Sequence, residues 1–404
     1  MNKHQHKHQH THQHEHKHKH KDQHKNLKLL DKFRAVLLLH ALGDTIGFKN
    51  GDWEFNYNKT ETLDYVNELI YEFIALGGVN GIDLKDWKVS DDTFLHLAIG
   101  RSLLSYKKKD GVTEKLIDIT KDNLLDEAER MWAEADGSYV DDTDTKTDKI
   151  KFDRFIGITT SNSIAKFNDT LDARTLPYDD NAGGNGAAMR SPIIGVCLRD
   201  NIDDLITYSI DSSRLTHNNA LGYLAGFNAA LFIALAVQNI PIDDWPYILI
   251  DHLKSDRLKS FLSLKNMEQV YDHTMYIRYW QKYLDTKFEN GKHMYLKTNS
   301  NPMHRIRYYY DNFHKGTSTV QIGASGYLCM IMAYDALIDC DGCWEKLIVY
   351  ACLHSGDSDT IGAVAGALYG AVYGFGDVPS NMLKYLERKQ ELESLASGLY
   401  KAFT

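Results

Sequence analysis

Residues 356–374 read GDSDTIGAVAGALYGAVYG and carry the strongest structural signal in this 404-residue chain. From Ile361 onwards the stretch consists of apolar and small residues, which predicts a buried helix. Glycine stands at every fourth position, at Gly362, Gly366, Gly370 and Gly374. Each glycine inside a helix costs about 1 kcal/mol relative to alanine, so the stripe needs a compensating gain. Close contact with another backbone supplies that gain, and we expect this helix to be central.

Helical periodicity continues outward from this stretch through most of the chain. Apolar residues at spacings of three and four predict a first helix over residues 29–43. The same pattern predicts helices near 92–107, 118–134, 203–213, 219–238, 320–338, 345–353, 360–374 and 380–402. Only six prolines are present, and the alternation typical of strands is scarce, so the pattern predicts an all-α fold. Polar breaks at 136–151, 178–187 and 286–304 are expected to be surface connections.

We predict one large helical domain, residues 27–404, preceded by a disordered tail, residues 1–26. The tail alternates histidine with polar residues and holds ten of the nineteen histidines. It has too few apolar side chains to form a core, and it lacks the apolar centre of a secretory signal. Binding of transition metals by its imidazoles remains an open alternative.

The composition argues against several classes of protein. A content of 43% hydrophobic and 25% charged residues is typical of a globular protein. The formal charge, 46 − 55 = −9, disfavours nucleic acid as the main partner. The longest apolar stretch, residues 221–237, lacks basic flanks, so we expect a buried helix and no membrane span. Five cysteines in so long a chain favour a reducing compartment. We expect a cytoplasmic monomer.

Two acidic clusters stand directly before predicted helices. They are Ser90-Asp91-Asp92-Thr93 and Gly356-Asp357-Ser358-Asp359-Thr360. Helix capping accounts for either cluster alone, since serine is a good N-cap and aspartate is favoured by the helix dipole. Together, however, the clusters offer four carboxylates and several hydroxyls, more than two caps need. If the two helix entrances meet, they form an all-oxygen cage that suits Mg²⁺ rather than zinc.

Two glycine segments have the composition of anion-binding backbone. They are Gly183-Gly184-Asn185-Gly186-Ala187-Ala188-Met189-Arg190 and Gly323-Ala324-Ser325-Gly326. Their main-chain N–H groups can approach a phosphate closely, and Arg190 adds charge. Plain glycine turns remain open, because neither segment matches a Rossmann or P-loop pattern. His217 is either a ligand contact or a structural histidine, and taken alone the structural role is favoured.

Five motifs, in this order, resemble those of the ADP-ribosylglycohydrolase family. They are Gly43-Asp44-Thr45-Ile46-Gly47, the first acidic cluster, Gly184-Asn185-Gly186-Ala187-Ala188-Met189-Arg190, Leu215-Thr216-His217, and the second acidic cluster. The resemblance spans about residues 30–402. Two further strings, Asn50-Gly51-Asp52-Trp53-Glu54-Phe55 and Met332-Ala333-Tyr334-Asp335-Ala336, are similar to the ADP-ribosylarginine hydrolase branch.

The resemblance implies an all-α hydrolase with two Mg²⁺ ions in a cleft, acting on ADP-ribosylated proteins and releasing ADP-ribose. The implied metal ligands are Ser90, Asp91, Asp92, Asp357, Asp359 and Thr360. The implied contacts to the diphosphate and adenosine are Gly184, Asn185, Gly186, Met189, Arg190, His217, Gly323, Ala324 and Ser325.

We expect carboxylates to carry the chemistry, because cleavage of an N-glycosidic bond develops positive charge on the sugar. Asp92 is the candidate to take a proton from water, and Glu54 is the candidate to donate to the guanidine leaving group or bind it. The arginine branch has a His-Asp pair where this chain has Tyr327 and Leu328. The alternatives are therefore a serine, poly(ADP-ribose) or acetyl-ester substrate, or a non-catalytic ADP-ribose-binding protein.

Overall fold

The computed structural model of the protein describes residues 28–55, 65–108, 113–139, 151–168, 171–294, 301–315 and 321–404. The predicted tail lies outside the described residues, as do parts of the breaks at 136–151 and 286–304. Across the described ranges the chain is about 70% helical with almost no strand, and the predicted all-α fold is confirmed.

The helices, numbered in chain order within those ranges, have the following bounds. They are α1 (Leu29–Phe48), α2 (Tyr65–Ala75), α3 (Gly78–Gly81), α4 (Asp91–Lys108), α5 (Thr113–Asp136), α6 (Ile158–Ile164), α7 (Pro192–Cys197), α8 (Ile202–Arg214), α9 (Ala220–Val237), α10 (Trp245–Lys254), α11 (Asp256–Leu262), α12 (Met267–Lys287), α13 (Pro302–Tyr309), α14 (Gly326–Cys340), α15 (Trp344–Cys352), α16 (Ser358–Tyr373) and α17 (Lys389–Phe403). A small antiparallel hairpin, β1 (Phe288–Glu289) and β2 (Lys292–His293), follows α12, with Phe288 opposite His293.

The glycine-rich helix α16 is central, as predicted, and it packs directly against α1. A Cβ atom on Gly362 would lie 2.6 Å from the carbonyl oxygen of Gly43, and one on Gly370 would lie 2.6 Å from that of Ala35. Both distances are too short for any side chain, so the two backbones touch. The helix is buried from Ser358 through Ala371. The predicted reason for the stripe, close backbone contact, is therefore confirmed for these positions.

Gly374, the fourth glycine of the stripe, has a different role. It is the C-cap residue of α16 and has a φ of 63°, in the left-handed region that favours glycine. Gly374 therefore ends α16, whereas Gly362 and Gly370 let α16 pack against α1.

Several predicted helix bounds were wrong for physical reasons. The first helix runs to Phe48 and does not end near Gly43. Gly43 lies inside this helix, where it faces α16 and does not act as a helix end. The predicted helix at 380–402 is split into a 3₁₀ turn, Ser380–Leu383, and α17, with Arg388 in the left-handed region between them. The helix predicted at 320–338 begins later, at Gly326.

Helix α12 is absent from the sequence prediction. Its buried residues include the aromatic side chains of Tyr276, Trp280 and Tyr283, which recur at helical spacing among many polar residues. The mixed composition hides the apolar face. These rings pack edge-on against the core, for example Trp280 against Phe232 with ring centroids 5.4 Å apart.

Helix α9 is long and apolar enough to cross a membrane, but 94% of its apolar window is buried inside the protein. This burial is that of a core helix, as predicted. The C-terminal end of α9 receives an unusual cap, because Lys32 of α1 donates from Nζ to the carbonyl oxygens of Ala236 (3.1 Å) and Val237 (3.3 Å). A cation suits the negative end of the helix dipole.

We predict that Gly43→Ala strongly destabilises the protein. The new Cβ would overlap the backbone of Gly362 and push α1 away from α16, which costs about 1–3 kcal/mol or more for an overpacked core. The measurement is the midpoint of thermal unfolding by circular dichroism. Gly81→Ala is the matched control, since its nearest contact lies 3.9 Å away. Equal midpoints for the two variants would contradict the backbone contact.

Candidate active site

The entrance of α16 brings three carboxylates together. One oxygen from each of Glu54, Asp357 and Asp359 lies within 4.8 Å of the others, and all three residues are buried. Glu54 reaches this position because the next residue, Phe55, donates its N–H to the carbonyl oxygen of Gly356 at 3.1 Å. The structure thus groups Glu54 with the predicted ligands of the second acidic cluster.

The entrance of α4 meets the entrance of α16, which confirms that the two acidic clusters lie together. The hydroxyl of Thr360 donates to Oδ1 of Asp92 at 3.3 Å. Ser90 caps α4, since its Oγ accepts the N–H of Asp92 at 3.2 Å. Asp92 and Thr360, which are 268 residues apart in the chain, therefore share one buried site.

Asp44 of α1 holds the entrance of α4 in place. Its carboxylate accepts the backbone N–H of Ser90 at 2.9 Å and that of Thr93 at 3.2 Å, and it also accepts the hydroxyl of Thr93. Burial raises the pKa of Asp44 to about 6, against the lowering effect of these hydrogen bonds. Asp44 is thus a second cap for α4, supplied from a different helix.

The short segment before α6, residues 154–157, holds both the backbone and the side chain of Asp91. The backbone N–H of Asp91 donates to the carbonyl oxygen of Arg154 at 3.0 Å, and the N–H of Gly157 donates to Oδ2 of Asp91 at 3.3 Å. Arg154 is itself buried and donates to Glu134 (2.7 Å) and Glu387 (2.7 Å). A buried ion-pair network therefore fixes this segment, and through it the position of Asp91.

The acidic site is electrostatically unfavourable on its own. Burial is the main cause that raises the pKa of each carboxyl group in this set above its ordinary value, and the set comprises Glu54, Asp91, Asp92, Asp357 and Asp359. Negative neighbours add to the effect, as when Asp357 and Asp91 raise the pKa of Glu54. Buried like charges of this kind need a compensating cation or protons.

The residues fit a hard cation. Within the described residues, Oε2 of Glu54 and Oδ2 of Asp92 are buried without a hydrogen-bond donor. An unpaired carboxylate oxygen in the interior is costly, and a coordinated metal ion removes that cost. The available donors are carboxylate and hydroxyl oxygens, the set that Mg²⁺, Ca²⁺ and Mn²⁺ prefer. The acidic cluster can therefore bind metal.

The two glycine segments lie side by side next to this cluster. Gly184 and Ser325 form an isolated antiparallel bridge, and the N–H of Asn185 donates to the carbonyl oxygen of Ala324 at 3.0 Å. The side-chain amide of Asn185 donates to Oδ2 of Asp357 at 2.8 Å and to the carbonyl oxygen of Gly323 at 3.0 Å. The structure thus brings together the segments predicted to bind the diphosphate and adenosine.

The His217 ring and the Arg190 side chain hold the first glycine segment in place. A Cβ on Gly186 would lie 2.6 Å from Cε1 of His217, so the imidazole rests directly on the loop. Arg190 is buried and donates to the carbonyl oxygen of Gly186 at 2.9 Å and to the hydroxyl of Thr216 at 2.7 Å. These contacts give Arg190 a role in holding the loop, and its contact with the diphosphate stays a prediction.

Two buried histidines lie under the same loop. His40 approaches the carbonyl oxygen of Met189 through Nε2 at 2.6 Å, so this nitrogen carries the proton. His96 accepts the N–H of Ile193 through Nε2 at 3.1 Å, and its ring centroid lies 3.9 Å from that of His40. Burial lowers both pKa values, that of His40 to about 4, so both rings are neutral.

The departure at Tyr327 and Leu328 does not place a new group in the site. The Tyr327 ring stacks on Tyr279, with centroids 3.8 Å apart and planes at 8°, and its hydroxyl donates to the carbonyl oxygen of Phe313 at 2.9 Å. Leu328 is fully buried. These side chains pack α14 against α12 and the turn after α13.

A second acidic group, at His293, Asp335 and Asp339, also has the spacing of a metal site. Here Lys287 pairs with Asp335 at 2.9 Å, and Arg305 pairs with both aspartates. Two positive charges balance two negative ones, so this cluster is a buried salt-bridge network that has no need of a cation. The string at 332–336 belongs to this network and to the core.

Sequence reasoning assigned no role to Asp44, Arg154 and Gly157, although they hold the acidic clusters in place. Asp44 stands in the first of the five motifs, and its position there was the only available signal. Arg154 and Gly157 act through contacts with residues distant in the chain, so no local pattern marks them.

Comparisons with known proteins show the family of the chain. The sequence profile described as ADP-ribosylglycohydrolase matches residues 25–404. The chain belongs to the ADP-ribosylglycohydrolase family. A mimivirus ADP-ribosyl glycohydrolase, L444 of Acanthamoeba polyphaga mimivirus, is 35% identical over 370 residues, 89% of this chain and 68% of the relative.

Other ADP-ribosylglycohydrolase relatives extend the comparison. ADP-ribosylhydrolase ARH1 of Dictyostelium discoideum is 29% identical over 401 residues, 91% of this chain and 93% of that one. ADP-ribosylhydrolase ARH3 of Gallus gallus is 25% identical over 223 residues, 54% of this chain and 58% of that one. A solved structure of an ADP-ribosylglycohydrolase-related protein complex covers 93% of this chain and 99% of its own, with a TM-score of 0.56 and 19% identity. That similarity shows a shared fold.

We predict that Asp44→Asn lowers stability and weakens the response to divalent cations. In the wild-type protein the Asp44 carboxylate accepts from the Ser90 and Thr93 donors, whereas the NH₂ group of asparagine would itself be a donor facing them. An unsatisfied buried donor costs about 1–3 kcal/mol. The measurement is the thermal midpoint with and without MgCl₂. Asp86→Asn, at an exposed position, is the control. An unchanged midpoint and an unchanged Mg²⁺ response in Asp44→Asn would contradict the capping role.

We also predict a pH dependence of stability due to His40. Its pKa is about 4 in the folded protein against 6.5 in the unfolded chain, so only the unfolded chain takes up the proton between these values. The contribution is present above pH 6.5 and is lost as the pH falls towards 4, by up to about 1.4 kcal/mol per pH unit. His40→Gln should show a shallower fall in unfolding free energy from pH 6.5 to 5. Parallel curves for both proteins would contradict this assignment.

Proposed function

We propose that the protein is a Mg²⁺-dependent hydrolase that releases ADP-ribose from arginine side chains of ADP-ribosylated proteins. The observation that carries the proposal is the meeting of the two acidic clusters beside the paired glycine segments. The proposal includes two Mg²⁺ ions per chain, held by Ser90, Asp91, Asp92, Asp357, Asp359 and Thr360. A cytoplasmic monomer, expected from the sequence, completes it.

The arrangement suits a nucleotide attached to a sugar. Backbone groups of the segments at Gly184 and Gly323 lie next to Asp357, through the contacts of Asn185. A diphosphate bound by these segments would place the distal ribose at the acidic cluster. Mg²⁺, when bound there, supplies Lewis-acid stabilisation of negative charge and lowers the pKa of water.

We assign proton transfer to two carboxylates of this site, Asp92 and Glu54. Asp92 has one oxygen held by the Thr360 hydroxyl and one without a donor, so the second is available to accept a proton from water. Burial and the neighbouring carboxylates raise the pKa of Glu54, as they raise that of Asp92, so Glu54 is assigned the proton on its place in the string at 50–55. Such a carboxyl group can donate to the leaving nitrogen. Negative charge around the sugar also stabilises the developing oxocarbenium ion.

Two features support arginine as the leaving group. The first is the string at 50–55, similar to the arginine branch, which carries Glu54 into the site. The second is the excess of carboxylates, because a guanidinium group is cationic and always charged near neutral pH. The relatives named ARH1 and ARH3 match different shares of the chain, and the one named ARH1 matches nearly all of it.

The decisive experiment follows free ADP-ribose released from ADP-ribosylarginine by the purified full-length protein, with Mg²⁺ and then with chelator. We expect release with Mg²⁺ and little with chelator. Asp92→Asn and Asp359→Asn should each reduce the rate by at least about 100-fold with the circular dichroism spectrum unchanged. Asp86→Asn is the control and should retain the wild-type rate.

Other outcomes would overturn separate parts of the proposal. No release under either condition overturns the hydrolase, and release insensitive to chelator overturns the Mg²⁺ dependence. Release from conjugates of serine or of an acetyl ester, but not of arginine, overturns the leaving group. Loss of helical signal in both aspartate variants would mean that these acids serve the fold.

A further inference from the structure

Two large apolar side chains are exposed beside the acidic cluster. Phe155 is 44% exposed and Ile158 is 79% exposed. They flank Gly157, whose N–H donates to Asp91. We call these two side chains the lip. A single exposed apolar residue needs no explanation, but a pair at the edge of a site marks a surface that a ligand or partner can cover.

The backbone holds the lip rigidly. Phe155 has a φ of 56°, in the left-handed region that costs energy for a residue other than glycine. Its N–H donates to Oδ1 of Asp153 at 2.8 Å, and the preceding residue, Arg154, is fixed by its buried ion pairs with Glu134 and Glu387. A strained conformation persists only where the surroundings enforce it. The phenyl ring is therefore kept at this place.

The segment that carries the lip borders both parts of the site. The Phe155 ring packs edge-on against Phe48, with centroids 5.4 Å apart, and lies against Gly51, in the turn that leads to Glu54. On the other side, a Cβ on Gly186 would lie 3.0 Å from the hydroxyl of Thr160, two residues after Ile158. Residues 155–160 therefore run along the edge that the acidic cluster and the first glycine segment share, and the lip belongs to this run.

Ile158 contributes little to the fold, because it is the first residue of α6 and most of its side chain is in solvent. Covering an isoleucine side chain is favourable by about the same amount whether the cover is the protein's own core or a partner.

A modified protein is too large to enter the buried site, so the residues around its ADP-ribosylated side chain must stay at the edge.

We propose that the lip is the docking surface for the polypeptide around the modified side chain. Phe155 would contact the apolar stem of that side chain, and Ile158 would contact the neighbouring residues. This proposal rests on the proposed function, but it adds a second substrate contact that free ADP-ribosylarginine lacks. It commits to a protein substrate as the occupant, in place of the nucleotide or a second copy of this chain.

The test compares Ile158→Ser with the wild-type protein on two substrates, free ADP-ribosylarginine and a protein that carries the same linkage. We expect kcat/KM on the modified protein to fall about fivefold or more, mainly through KM, with the value on free ADP-ribosylarginine unchanged. Ile158→Val keeps an apolar side chain at this position, so its kcat/KM values on the two substrates should have the same ratio as in the wild-type protein. Tyr247→Ser, at a half-exposed aromatic on α10, is the control for loss of any exposed apolar side chain.

Binding separates this proposal from the proposed function. On the Asp92→Asn background, affinity for the modified protein should fall when Ile158→Ser is added, while affinity for free ADP-ribose stays the same. Equal losses for the modified protein and free ADP-ribose would assign the lip to the nucleotide site and overturn the proposal. No loss for either, or a change in oligomeric state on ultracentrifugation, would also overturn it. If no substrate is cleaved, the proposed function fails and the binding result still decides the role of the lip.

Discussion

The backbone contact between α1 and α16 is the constraint on which the site depends. Glycine at Gly43 and Gly362 lets two helix axes approach until only main-chain atoms separate them. Asp44, next to Gly43 in the chain, then reaches the entrance of α4, while Asp357 and Asp359 lie at the entrance of α16 itself. One close contact thus positions both acidic clusters. It also explains why three glycines, Gly362, Gly366 and Gly370, are tolerated inside a helix that they would otherwise weaken.

The buried carboxylates stabilise nothing by themselves. They repel one another in a place that water cannot screen, and the hydrogen bonds from Thr360, Asn185 and Gly157 offset only part of that repulsion. A fold that keeps such a group of charges must gain from it elsewhere, and binding of a cation together with a sugar is the gain that the oxygen donors suit. The network at Lys287 and Asp335 is the contrast within the same molecule, because there the protein supplies its own cations.

Much of the fold and of the acidic site was predictable from the sequence. The helical period, the glycine stripe and the two acidic clusters are local patterns, and each of them led to an element that the structure contains. Helix α12 was missed because its buried face is aromatic, and the end of α1 was misplaced because Gly43 is a contact residue. The roles of Asp44, Arg154 and Gly157 arise from pairings across the chain, which no local pattern contains. For Arg190 the sequence indicates a ligand contact, and its hydrogen bonds to the protein's own backbone add a role in holding the loop that no local pattern contains.

The ion pairs of Arg154 connect the site to the far end of the chain. Glu387, just before α17, accepts from Arg154 and also accepts the N–H of Val89, directly ahead of the first acidic cluster. The Glu387 carboxylate thereby holds two backbone segments, at Val89 and at Arg154, that both contact or lead to Asp91. Removing the chain from Glu387 onwards would accordingly disturb an acidic site whose first cluster directly follows Val89, 298 residues earlier in the chain. The segment at Glu387 thus belongs to the scaffold of that site as much as the helices that bear its acids.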